Sequence, residues 1–151
     1  MKIKTKFYEE LEISTDEMIH FPEGLPGFET EKRFVYLHPE DSVFGCLQSC
    51  QTPEVAFIVI SPFRLCPDYD FVLDEKKVDL LGLAKPDDAL ILAIVTIPPG
   101  QPDQATVNLQ APLVINPQTR KGIQVILSDS GYPLRFRLWA KKPVSTVSAA
   151  K

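Results

Sequence analysis

Three cysteines and two histidines are the residues of this chain best suited to metal or acid–base chemistry. Cys46 and Cys50 stand four apart, Cys66 is distant, and His20 or His38 could complete a zinc set. Structural zinc sites carry a second ligand pair at similar short spacing, and none exists here. Cys46 and Cys50 fall in a segment of strand character, where even spacing puts both on one face. Free cysteine mostly behaves as a small hydrophobe, and an odd count argues against a disulfide framework. His20 sits between Ile19 and Phe21, and His38 precedes Pro39. Either would act as a general base only beside a nucleophile and an orienting group. Asp87 and Asp88 are neighbours in sequence, so their carboxylates diverge and suit paired acid–base work poorly. There is no Gly-rich phosphate loop, His-x-x-x-His pair or Gly-x-Ser-x-Gly elbow. The residues imply no catalytic site, no metal, no cofactor and no small-molecule substrate.

What remains is recognition, and the stretch organised for it is Phe21-Pro22-Glu23-Gly24-Leu25-Pro26-Gly27-Phe28-Glu29. Each proline fixes its own φ and biases the preceding residue towards extended backbone. Gly24 and Gly27 supply the positive φ that their apolar neighbours resist. Phe21, Leu25 and Phe28 are thereby held on a stiff loop. Such a loop either plugs its own core or presents anchors to a partner, and Leu25→Ala is the gentler probe if Phe28 is a plug.

The elements around this loop read as short strands. Residues 2–8 alternate, with Lys2, Lys4 and Lys6 on one face and Ile3, Thr5 and Phe7 on the other, as in a half-buried edge strand. Residues 10–13 extend or pair with it. Residues 18–21 form a short apolar entry to the loop, and further strands are expected at 33–37, 44–50, 55–60, 69–73, 90–97, 105–109, 113–115, 122–127 and 134–138. The continuously apolar runs 55–60 and 90–97 suit central strands buried on both faces. Asp74 is positioned to cap one short helix over 75–83. Frequent turns, 14 prolines and a single helix predict an all-β fold: a single-domain, barrel-like folded antiparallel sheet. That domain covers residues 1–140, and residues 141–151 form a basic, disordered tail.

Composition bounds the partners. The chain has 151 residues with a net charge of −4, which opposes general binding to phosphate backbones. The Arg135, Arg137, Trp139, Lys141 and Lys142 cluster keeps an RNA-binding module open as an alternative, since aromatics among basic residues stack bases. A hydrolytic enzyme built on His20 or His38 with a carboxylate is the other. Acidic residues concentrate between Asp68 and Asp103, a solvated surface or a patch for a basic partner. No run approaches the length of about 18 apolar residues that spans a bilayer, and Glu9, Glu10 and Glu12 interrupt any signal-like segment. A cytoplasmic protein without membrane contact is expected.

The Phe21–Glu29 run resembles a signature near the start of the flagellar assembly factor FliW family. The run Thr106–Asn116 resembles that family's other block, and the strand at 122–127 follows at the family's distance. The resemblance covers about residues 1–140 and implies a compact β-barrel-like fold. It also implies two partners: flagellin, bound before export, and the translational repressor CsrA, whose silencing of flagellin mRNA is relieved on binding. The two are bound in exclusion of one another, with no direct contact to nucleic acid. Candidate contact residues are Phe21, Leu25, Phe28 and Glu29 on the loop, Asp87 and Asp88 in the acidic region, and Asn108 in the second block.

Overall fold

The structure, a computed structural model, describes residues 1–139. The expected tail at 141–151 lies outside the described residues. Eleven strands form two sheets. A small hairpin pairs β1 (Lys2–Ile3) with β2 (Leu11–Glu12). The main sheet contains β3 (Met18–His20), β4 (Arg33–Leu37), β5 (Phe44–Ser49), β6 (Ala56–Ile60) and β7 (Leu90–Thr96). It also contains β8 (Thr106–Val107), β9 (Leu113–Asn116), β10 (Lys121–Gln124) and β11 (Phe136–Arg137). Its order is β11-β8-β7-β6-β5-β4-β3-β10-β9, and β9 pairs back onto β7. Strands β3 to β7, β9 and β10 therefore close into a seven-stranded barrel. Closure leaves these strands no free edge.

All pairings are antiparallel except β3 with β10, which run parallel through the single pair Lys121–His20. Strand β7 serves two partners. Residues Leu90–Leu92 pair with β9, while Val95 and Thr96 pair with β8, which carries β11.

Side chains alternate across a strand, and here the alternation separates an inside from an outside. Phe34, Leu47, Val59, Leu92, Leu113 and Ile115 fill the barrel with Ile19, Phe21 and Leu25. Each fully buried Leu or Phe contributes about 1.5–3 kcal/mol. Three covers shield the outer face. The β1–β2 hairpin packs Ile3 on Val35. Helix α1 (Glu75–Leu81) packs Leu81 with Val114 and Ile123. Tyr69, Leu109 and Leu138 pack with Ile60, Ala93 and Val95.

The helix begins where expected. Asp74 accepts the Lys77 N–H, and Gly82 ends the helix at φ 69°. Hydrogen bonds from Lys77 hold the Asp74 carboxyl below its ordinary 3.8. The folded value being lower, the cap's contribution is full above that pH and fades as pH falls below it.

Several expectations are corrected. The first strand stops at Ile3, because the Thr5 hydroxyl accepts the Tyr8 N–H (2.9 Å) and turns the chain; Phe7 is left exposed. The Lys6 N–H then donates to the buried Gln48 side chain (2.9 Å), tying this segment to β5. Cys50 lies one residue past the end of β5, though its N–H still donates to the Arg33 carbonyl of β4 (2.9 Å). Run 55–60 is only half-buried at Ala56, Phe57 and Ile58. Residues 69–73 pair with no strand among the described residues.

Buried Asn116 joins the helix to the β9–β10 turn. Its Nδ2 donates to the Leu81 carbonyl (2.9 Å), and its Oδ1 accepts the Gln118 N–H (2.9 Å). Asn116→Ala strands the Gln118 donor, and is expected to cost about 1–3 kcal/mol in urea unfolding.

Candidate binding surface

The loop after β3 closes the barrel's weakest seam. Parallel strands β3 and β10 share one pair, so Phe21 fills the gap beside them. Its ring lies 2.8 Å from where a Cβ on Gly122 would stand, so only glycine admits it. Phe21 is 0% exposed, and its ring meets Phe34 edge-on (5.5 Å). Leu25 is 2% exposed and joins the same core. Leu25 and Phe28 exchange backbone hydrogen bonds, with Phe28 N–H to Leu25 O at 2.7 Å. Lys32 Nζ donates to the Pro22 carbonyl (2.9 Å), and Glu31 accepts from the Ser49 and Thr52 hydroxyls.

The loop plugs the core with two of its apolar residues and leaves the third at the surface. Phe21 and Leu25 are internal, while Phe28 remains 40% exposed. Phe28 stacks edge-on against Phe57 (5.3 Å), which contacts Phe34 (6.0 Å). A chain of aromatic rings links the exposed Phe28 to the core. Leu25→Ala would cut a core cavity, typically costing about 2–5 kcal/mol, so Phe28 is the surface probe. Glu29 is exposed; the N–H of Gly27 (3.1 Å) and its own N–H hold its carboxyl below the ordinary range.

Asp87 and Asp88 are both exposed, in a one-turn helix at Pro86–Asp88. Asp87 borders a cleft with Phe63, Tyr69 and Phe71, and Asp88 borders a hollow beside Asn116. Burial, with Tyr132 and Cys66 nearby, pushes the Tyr69 phenol up, and it donates to the Leu109 carbonyl (2.7 Å). Asn108 is half-buried, and its Oδ1 accepts the N–H groups of Gln110 and Ala111, both at 3.0 Å. It shapes the bend before Pro112. The sequence singles out these residues but does not bring Phe63 or Ile91 to Asp87; only the packing of 62–73 outside β7 does so.

The histidines line different hollows, His20 with Arg33 and Arg120, His38 with Tyr36 and Val43. Among the described residues, no group of three His, Cys, Asp or Glu side chains converges as a metal site. Cys46 is buried, and burial raises its thiol to about 11. Trp139 is half-exposed and donates Nε1–H to the Pro102 carbonyl (3.0 Å); Lys141 and Lys142 lie outside the described residues.

Comparison with known proteins decides the family. The FliW protein family model matches residues 2–138. This chain belongs to the FliW family. A flagellar assembly factor FliW from Bacillus licheniformis is 48% identical over 134 residues, covering 87% of this chain and 92% of its own. One from Caldicellulosiruptor bescii is 42% identical over 137 residues, covering 91% and 90%. A crystal structure of the flagellar assembly factor FliW superposes with a TM-score of 0.87 at 38% identity. It covers 94% of this chain and 99% of the solved one. The barrel with one short helix is the family's fold. No helix among the described residues is long and apolar enough to cross a membrane.

Two glycines of the family loop have separable roles. Gly27, at φ 85°, faces open space, so Gly27→Ala is expected to cost only the left-handed strain of about 1–2 kcal/mol. Gly24, at φ 65°, would set a Cβ 2.5 Å from the Glu29 carbonyl. Gly24→Ala should therefore lower the urea midpoint by clearly more. A thiol titration at pH 8 should find Cys46 the last to react, because burial keeps it protonated and covered.

Proposed function

We propose that this chain is a cytoplasmic partner-switching regulator of flagellar assembly. It binds flagellin before export and, when free of flagellin, binds CsrA and relieves repression of flagellin mRNA. It works by occupancy, making and breaking no covalent bond and touching no RNA itself. The observation that carries the reading is the family match across residues 2–138, which includes both sequence blocks.

The surface chemistry supports two kinds of partner. Phe28, backed by Phe57, offers an aromatic anchor set in a rigid loop, the type of residue that dominates interface energies. Asp87 and Asp88 offer exposed negative charge, which speeds encounter with a basic partner such as an RNA-binding protein. The flagellin contact is assigned to the Phe28 face, and the CsrA contact to the acidic face.

Surface-plasmon measurements across a salt series test both assignments. CsrA association should slow markedly as salt rises, since exposed charges are screened over about 8–10 Å, while dissociation changes less. Asp87→Asn with Asp88→Asn should slow association further. Flagellin binding should respond little to salt and should lose roughly 2 kcal/mol or more in Phe28→Ala. Flat salt dependence for both partners removes the electrostatic assignment. Unchanged flagellin affinity in Phe28→Ala removes the anchor.

A further inference from the structure

Residues Tyr69 to Leu73 have the pattern of a strand and, among the described residues, no strand beside them. Burial alternates along them: Tyr69 is buried, Asp70 exposed, Phe71 half-buried, Val72 90% exposed and Leu73 half-buried. Two alternating faces are the mark of pleated chain, and Asp74 continues it at φ −70°, ψ 163°. The Asp70 N–H donates to the Tyr132 hydroxyl (2.9 Å). Among the described residues, the N–H groups of Phe71, Val72 and Leu73 and the carbonyls of Asp70 to Leu73 find no hydrogen-bond partner. Successive N–H groups point to opposite edges of a strand. Phe71 and Leu73 therefore offer theirs on the edge away from Tyr132.

This segment borders a cleft of about 290 Å³ on the outside of β7, walled by Phe63, Tyr69, Phe71 and Ile91. That volume is near the lower limit for small-ligand sites and accepts a side chain of a protein more readily than a cofactor. Asp70 and Asp87 stand at its rim, both exposed. Phe63 (44% exposed) and Val72 add apolar surface that nothing among the described residues covers.

We propose that this edge is a docking site for an extended, basic segment of a partner protein. The segment adds a strand beside Phe71–Leu73, sets one apolar side chain in the cleft and places lysine or arginine against Asp70 and Asp87. Backbone pairing supplies affinity in such additions, and the pocket for alternate side chains supplies specificity. Charge sets the sign of the occupant: an acidic rim repels a second copy of the same edge and favours a basic chain. The inference rests on the proposed meeting of the acidic face with a basic partner, and adds how that partner is gripped.

The test uses the full chain, isotope-labelled for NMR, and a synthetic peptide of about seven residues, an ordinary strand length. The peptide alternates lysine with isoleucine or valine. Two counterparts carry glutamate for lysine, or N-methyl groups on alternate backbone nitrogens. The lysine peptide should bind and slow amide exchange at Phe71 and Leu73, and the glutamate peptide should not bind. N-methylation removes ladder donors without touching this protein's fold, and should weaken binding at least about tenfold. Asp70→Asn with Asp87→Asn should weaken it by roughly three- to tenfold.

No binding, or protection elsewhere, overturns the proposal. So does an N-methylated peptide that binds as tightly as the parent; if the Asn variant still weakens binding, the acidic-face reading survives alone. Loss on N-methylation with an unaffected Asn variant keeps the strand edge and removes the basic partner. Binding that appears only after deletion of residues 140–151 assigns the edge to this chain's own tail and overturns a partner site.

Discussion

The closure of the barrel depends on one ring against one missing side chain. Strands β3 and β10 meet through a single parallel pair, too little to hold a seam by hydrogen bonds alone. Phe21 fills that seam because Gly122 has no Cβ to keep it out. The turn that brings Phe21 inward needs Gly24 at a positive φ against the Glu29 backbone. Core filling, the exposure of Phe28 and the shape of the family loop are thus a single constraint. A side chain at Gly122 would disturb the exposed Phe28 through Phe21, Phe34 and Phe57 without touching it.

A barrel of this kind has two faces to bury, and this chain treats them differently. The inside is one continuous cluster. The outside is covered piecemeal by the hairpin, the helix and the 62–73 segment with the C-terminal strand. Gaps between separate covers leave apolar hollows, and the one bordered by Asp70 and Asp87 also carries charge. Hollows arise here as a by-product of incomplete wrapping, with chemistry set by the residues at each gap.

Much of this was legible before the fold. Strand β4 matches its expected bounds, because Phe34, Val35 and Tyr36 between turn clusters leave little alternative. The helix was legible from Asp74, though it ends at Leu81 because Gly82 takes the left-handed conformation. What local pattern misses is competition and distance. Thr5 bonds locally and ends a strand that its lysine alternation would continue. Residues 69–73 have every local feature of a strand except a neighbour among the described residues, and neighbours are supplied by the fold. The loop's division into buried and exposed residues is equally invisible in sequence, because Leu25 and Phe28 differ only in which side of the barrel wall they reach. Asp87 was legible as charge; its aromatic companions were not.

The Lys121–His20 pair has a consequence for how the molecule is made. Its members lie about a hundred residues apart, while β4, β5 and β6 pair through short turns. Local hairpins form before distant contacts repay their loop entropy. On the ribosome the N-terminal strands emerge first, yet the wall they belong to stays open until β10 has been synthesised. Throughout that interval Phe21, Phe34 and Leu47 have no completed interior to enter. The maturing chain therefore passes through a stage in which its own core faces are its stickiest surfaces.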